Sequence, residues 1–360
     1  MWAVALALPL ILIASAVTLA QPQKDEPEIA AQASIADPYP ERQVVFAGGV
    51  IGRPDLTYAA PAGYRPLTLD LYLPPETKPK PGAGFPLVVY IHGGGWMAGH
   101  ARHSGPFRNF PKVLASLAAK GYVVASINYR LSSEAHSPAA VLDVKTAIRW
   151  LRSKASQYAI DPARAVLWGG SAGGQLAGIT AVTCGIEAFN PDGPPPAGSV
   201  DPEGRPLVRS LPEEVARQSD CVQGAITWYG VFDFSTIAGQ FGVEENAEVL
   251  LPEAAFLGCE IARCAPGLVG GASSTTYADG KDPPMLLIHG TADQTVTYQQ
   301  SQDMAARLKE AGVPVALILI LIPDVSHSLV GDTHEATREA NLKALNATFA
   351  FIDKTIGAPQ

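Results

Sequence analysis

The sequence predicts an α/β fold with a mostly parallel central sheet and helices on both faces. Three observations predict it. Apolar runs recur at Leu87–His92, Tyr122–Ile127, Ala165–Trp168, Ala225–Trp228, Met285–His289 and Val315–Ile322, and a strand reads this way when both its faces are covered. Helical periodicity fills the gaps between these runs. The order strand, helix, strand then repeats along the chain, and right-handed crossovers lay such strands side by side in parallel.

The elements follow in chain order. Residues 1–20, MWAVALALPLILIASAVTLA, carry no charged side chain, and the polar stretch QPQKDEPE follows. This predicts a secretory signal peptide cleaved after Ala16 or Ala20, although its first residues lack Lys and Arg. Retention would leave a membrane anchor instead, because about 20 apolar residues just span a bilayer. The expected location is secreted or periplasmic, with no stable membrane insertion once the signal is removed. Residues 21–40 are polar, contain proline and predict a linker. Residues 41–360 are expected to form one domain, a length that α/β domains with insertions reach.

Within that domain, Leu67–Leu73 (LTLDLYL) alternates with period two, as a half-buried antiparallel strand does. Val141, Val144, Ile148 and Leu151 stand at spacings of three and four and give one apolar helix face. Ala172–Val182, Gln299–Ala311 and His334–Ile356 also read as helices. Val315–Ile322 is too short to span a membrane and reads as a buried strand. Residues 185–220 break the rhythm, with the proline-rich run PDGPPPAGSVDPEGRP. They are expected to form an insertion at the surface, either a partial cap over a site or a loop remote from it.

Composition narrows the function. Hydrophobic residues make up 47% and charged residues 17% of the chain, which supports a large core and excludes a disordered class. The net charge of −8, with no block of five like charges, excludes the basic footprint on which nucleic-acid binding rests. Four cysteines, Cys184, Cys221, Cys259 and Cys264, follow an export signal and predict two disulfides. Three connectivities are possible. Cys259 and Cys264 are near enough to close a small loop, which leaves Cys184 with Cys221, at the ends of the insertion. No CxxC and no histidine at ligand spacing accompanies them, so no metal is expected.

The strongest chemical signal is Gly169-Gly-Ser171-Ala-Gly173, directly after an apolar strand and before a helix. This is the context of a nucleophile elbow, a strained turn that lifts a serine hydroxyl above the sheet and tolerates only small neighbours two positions away. The second signal is His92-Gly-Gly-Gly-Trp96, again after a strand. Glycines let backbone N–H groups approach an anion closely, so Gly93, Gly94 and Ala172 are the expected oxyanion donors. His92 is expected to brace the loop. A serine hydroxyl needs a base to take its proton. His327, just past the last apolar run, and Asp293, at the end of Met285–His289, follow Ser171 in the chain order serine, acid, histidine. Asp233 is the rival for the acid, and His289, inside its strand, is expected to be structural. Trp96, Tyr229 and Phe232 flank the motif loops and are candidates for the substrate pocket, with core packing as the competing role.

The motifs HGGGW (92–96), YRLSSE (129–134), GGSAGG (169–174), HGTAD (289–293) and SHS (326–328) together resemble the esterase/lipase branch of the α/β-hydrolase fold. That branch includes hormone-sensitive-lipase-like and feruloyl-esterase-like enzymes, and the resemblance covers about residues 60–355. Gly170 precedes the serine where the lipase-like group carries an acid, and YRLSSE replaces YRLAPE. Both departures tilt the resemblance toward the feruloyl-esterase-like group. The resemblance implies a serine carboxylesterase that needs no cofactor and acts on short or aromatic acyl esters, as small molecules or on plant polysaccharide. It implies a structural role for Asp143. Two other readings share the residues: a serine peptidase or amidase on the same triad, and a non-catalytic binding protein of this fold. The oligomeric state is not legible.

Overall fold

The computed structural model describes residues 42–192, 211–244, 250–313 and 318–357. The expected signal peptide 1–20, the linker 21–40 and residues 193–210 of the expected insertion lie outside the described residues.

One sheet organises the described chain. Its strands are β1 (Val44–Val45), β2 (Ile51–Ala59), β3 (Leu67–Leu73), β4 (Phe85–Ile91), β5 (Val123–Ile127), β6 (Ile160–Gly170), β7 (Gly224–Trp228), β8 (Met285–Gly290) and β9 (Ile318–Ile322). They lie in the order β1-β2-β3-β5-β4-β6-β7-β8-β9. From β5 to β9 every pairing is parallel, and β1, β2 and β3 join antiparallel at one edge. The mostly parallel sheet expected from the apolar runs is therefore present, and the alternating segment Leu67–Leu73 is the antiparallel strand β3. Of the expected run Val315–Ile322, residues 318–322 form β9 and residues 315–317 lie outside the described residues.

The period-two geometry of a strand sends alternate side chains to opposite faces, and each face has its own core. Leu87, Val89 and Ile91 of β4 pack on one side with the helices Ala139–Ser153 and Ala172–Val182. Val88 and Tyr90 of the same strand pack on the other with Phe110–Ala118 and His334–Ile356. Double coverage explains why β4 is buried throughout and reads as one apolar run.

Several elements go beyond the expected set, among them β1, β2 and the helix Phe110–Ala118. In β2 the alternation is interrupted by Gly52, Pro54 and Asp55. The strand absorbs them in a register shift between Arg53 and Leu56, with Asp55 at φ 58°, and proline is tolerated at such bulges. The helix starts at Asn109, whose side chain accepts the Lys112 N–H, with Pro111 in its first turn.

The cysteines pair as Cys184–Cys221 and Cys259–Cys264. The first bond ties the C-terminal end of the helix Ala172–Val182 to the segment that enters β7, so the ends of the insertion are held together. Among the described residues, no helix is long and apolar enough to cross a membrane.

Candidate active site

Ser171 stands at the junction of β6 and the helix Ala172–Val182, with φ 56° and ψ −125°. A non-glycine residue rarely adopts this backbone, and it persists only where the surroundings impose it. Here they do. The Ser171 N–H donates to the Trp228 carbonyl at 2.8 Å and the Gln175 N–H donates to the Ser171 carbonyl at 3.0 Å. A Cβ on Gly173 would run into the Ile91 and His92 carbonyls, so the helix start can press against the end of β4 only as glycine. The turn leaves Ser171 partly exposed at the carboxyl end of the parallel sheet, where open α/β sheets place their sites.

His327 and Asp293 reach the same point from the ends of β9 and β8. The two loops are laced together: the Thr291 N–H donates to the Ile322 carbonyl at 3.0 Å, the Ala292 N–H to the Val325 carbonyl at 3.1 Å, and the Asp324 N–H to Thr291 Oγ1 at 3.1 Å. His327 Nε2 lies 2.9 Å from Ser171 Oγ, and His327 Nδ1 lies 2.7 Å from Asp293 Oδ2. A carboxylate only accepts, so Nδ1 carries the proton and Nε2 is left to accept the serine hydroxyl.

Four donors satisfy the Asp293 carboxylate. Oδ1 accepts the Thr295 and Val296 N–H groups at 2.8 and 2.9 Å, and Oδ2 faces His327 Nδ1 and, at 3.2 Å, His289 Nε2. Burial alone would raise the pKa of this fully covered side chain. The hydrogen bonds from His289 and His327, with the electrostatic pull of the His327 ring, outweigh it and hold Asp293 well below the usual carboxylate range. His289 is thus more than a core histidine. Its Nε2 also faces the Val296 carbonyl at 2.9 Å, and its Nδ1 lies 2.7 Å from Ser301 Oγ, which fixes the ring as an Nε2–H donor. The only sequence signal for this contact is the spacing of four from Asp293, which crosses a strand end and has no regular geometric meaning.

Gly93, Gly94 and Ala172 line the cleft that holds Ser171 and His327, a space of about 810 Å³. Behind them His92 is buried, with its ring stacked on Tyr129 at 4.4 Å and its Nδ1 2.7 Å from the Gly93 carbonyl. Burial lowers the His92 pKa to about 4 despite the hydrogen bond to Gly93, so the ring is neutral and braces the loop.

The substrate-pocket candidates divide. Tyr229 lines the cleft, its ring edge-on to His327 at 4.8 Å. Burial raises its phenol pKa, against the hydrogen bond with Ser328, which lowers it. Trp96 also lines the cleft but is 2% exposed. Its Nε1–H donates to Gln175 Oε1 at 3.0 Å, and its ring stacks on Phe256 at 4.7 Å. Phe232 is a correction. It is fully buried, outside the cleft lining, with its ring against the backbone at Gly178 and Gly230. Sequence proximity to the motif loop put it near the site, but Val231 lines the cleft and the next side chain, Phe232, lies in the core.

Asp233, the rival acid, caps its own turn: Oδ1 accepts the Ser235 N–H and hydroxyl, and Oδ2 accepts the Thr275 hydroxyl. It makes no contact with His327. Asp143 holds Arg130 at 2.6 Å in a buried ion pair, the structural role implied for it. No group of three or more His, Cys, Asp or Glu side chains among the described residues could hold a metal ion.

The BD-FAE family model matches residues 69–308, and the prolyl oligopeptidase family model matches residues 266–358. Esterase LipQ of Mycobacterium tuberculosis is 29% identical over 254 residues, which is 69% of this chain and 51% of that protein. The chain spans about half the length of the curated relatives it matches over most of its own length. Among solved structures, a truncated carbohydrate esterase from gut microbiota superposes with a TM-score of 0.66 at 28% identity, covering 84% of this chain and 95% of that one. The butyrate-bound Est2 esterase of Thermogutta terrifontis gives 0.61 at 25% identity, covering 85% and 95%.

Proposed function

The chain belongs to the BD-FAE family, within the α/β-hydrolase esterases, and from that premise we propose that it is a serine carboxylesterase with Ser171 as nucleophile. The observation that carries the reading is the continuous line Ser171 Oγ, His327, Asp293, with one imidazole nitrogen toward each partner. In this reading His327 takes the hydroxyl proton as Ser171 attacks the ester carbonyl. Asp293 holds the ring in the right tautomer and stabilises the imidazolium. The N–H groups of Gly93, Gly94 and Ala172 receive the oxyanion. His327 then protonates the leaving alcohol, and water activated by the same ring hydrolyses the acyl-enzyme. No cofactor enters any step.

The substrates are short-chain or aromatic acyl esters, with acetyl or feruloyl groups on plant polysaccharide as the natural form. The carbohydrate-esterase and butyrate-bound neighbours support the class. Export to an oxidising compartment belongs to the same reading and is supported by the uncharged residues 1–20 and the two disulfides. The prolyl oligopeptidase match over the segment that carries Asp293 and His327 favours a second reading, peptide or amide hydrolysis on the same triad.

A fluorophosphonate probe tests the proposal. It should label the folded protein once, at Ser171, and abolish p-nitrophenyl acetate hydrolysis in step with labelling. Label on another residue, or activity that survives full labelling, defeats the reading. Cleavage of chromogenic peptides in preference to esters moves the protein to the peptidase class.

A further inference from the structure

Among the described residues, the cleft is lined by one acid that the triad does not use. Glu253 lies in the first turn of the helix Leu251–Leu257, lines the cleft and is 4% exposed. One of its oxygens, Oε2, is buried with no hydrogen-bond partner among the described residues. Among the described residues, its own backbone N–H is the hydrogen-bond donor beside the carboxyl. Buried polar atoms are nearly always paired, and an unpaired one in a site is a group kept for a ligand or a strain retained for function.

The helix that carries Glu253 is fastened to the Gly93–Trp96 loop. Phe256, one turn later, stacks on Trp96 at 4.7 Å. Pro252 packs on Gly95, where an added Cβ would stand 3.2 Å from its Cβ. The carboxyl is therefore held in place against the loop assigned to the oxyanion. Much of the surrounding wall is apolar, with Met97, Val231, Pro252, Val296 and Val330. An apolar ester would fit this wall and leave Glu253 unsatisfied.

We propose that Glu253 is a specificity-determining residue that hydrogen-bonds a hydroxyl group carried by the ester bound at Ser171. The proposal rests on the serine-esterase reading and names its substrate class, esters with a hydroxyl on the acyl or the alcohol part. Burial raises the Glu253 pKa to about 7, against the backbone hydrogen bond, which lowers it, so both protonation states are populated near neutral pH. A hydroxyl can donate to the ionised form and accept from the neutral one. A carbonyl only accepts and an ammonium only donates.

Two matched ester pairs provide the test: methyl 4-hydroxycinnamate against methyl cinnamate, and 2-hydroxyethyl acetate against propyl acetate. The readout is the ratio of kcat/KM within each pair. Glu253→Leu should lower the hydroxylated-to-plain ratio in at least one pair by about tenfold, the span of one hydrogen bond. Glu253→Gln, whose amide also donates and accepts, should keep the ratio. Thermal melting checks that each variant is folded, and Glu253→Met replaces Leu if that variant is not. Ratios unchanged in both pairs, or a loss in Gln as large as in Leu, would overturn the role. Ser171→Ala on the same four esters separates the two claims. Unchanged ratios in an enzyme that Ser171→Ala inactivates defeat only the Glu253 role, whereas turnover that survives Ser171→Ala defeats the nucleophile.

Discussion

His289 Nε2 lies 3.2 Å from Asp293 Oδ2, the same oxygen that receives His327 Nδ1 at 2.7 Å. One carboxylate oxygen thus connects a wholly buried histidine of β8 to the histidine beside Ser171. The arrangement fixes Asp293 from behind while leaving His327 as its contact toward the cleft.

Asp293→Asn should therefore be far more damaging than Asp233→Asn. The amide keeps the shape but can present N–H to His327 and favour the wrong tautomer, and such a change costs on the order of 10⁴-fold in kcat. Asp233 bonds Ser235 in its own turn and the Thr275 hydroxyl, away from His327, so its amide should leave kcat within about threefold, as changes away from a site usually do. Steady-state kinetics on p-nitrophenyl butyrate rank the two, and the reverse ranking would transfer the acid role to Asp233.

The low pKa of Asp293 also fixes a pH dependence. Its folded value lies below the unfolded one, so the stability it contributes is present above about pH 3.9 and is lost as pH falls through the folded value. The carboxylate stays ionised through the mildly acidic range. Asp293→Asn should thus lose most of its stability deficit relative to wild type only in strong acid, below the ordinary carboxylate range. Melting curves from pH 7 down to about pH 2 read the difference, and a deficit that vanishes by about pH 5 would contradict the assignment.

Glu253 has the opposite sign. Its folded pKa, about 7, is raised above the unfolded value. The fold is therefore favoured fully below about pH 4.3, and this contribution is lost as pH rises through 7. Glu253→Gln should melt higher than wild type at pH 8 and close to it at pH 4.5, with a difference between the two conditions of order ~3 kcal/mol. Equal shifts at both pH values would show that the carboxyl is not held in its neutral form by burial.

Gly94→Ala should remove activity through the loop. Gly94 has φ 114°, and an added Cβ would collide with the Ala98 carbonyl, so the turn must shift and carry its N–H away. Displacing one oxyanion donor costs about 100- to 1,000-fold in kcat. A loss of that size with KM little changed is expected, and a purely KM effect would argue that the loop binds substrate without stabilising the oxyanion.

Much of this was legible in the chain because double burial leaves a simple pattern. β4 is covered on both faces and reads as an apolar run, and the helix Ala172–Val182, wholly buried, reads as small and apolar from end to end. The residues at Ser171 and Asp293 were legible because each follows such a strand, and His327 because it follows the apolar edge strand β9, half-buried at residues 319–321. β2 was not, because Pro54 and Asp55 sit at a bulge that erases alternation. Phe232 was misplaced because nearness in sequence does not fix which way a side chain faces: Val231 lines the cleft and Phe232 beside it is buried in the core. Glu253 gave no signal at all. An acid in the first turn of a helix ordinarily faces water and suits the helix dipole, and only packing against the Gly93–Trp96 loop turns this one inward.

Ser171 is the proposed nucleophile, and the most direct measurement of that role is turnover of p-nitrophenyl butyrate by Ser171→Ala, with melting to confirm that the variant is folded. Loss of at least about 10⁴-fold in kcat is predicted, as removal of the attacking hydroxyl requires. A folded variant that keeps about a tenth of wild-type turnover would contradict it.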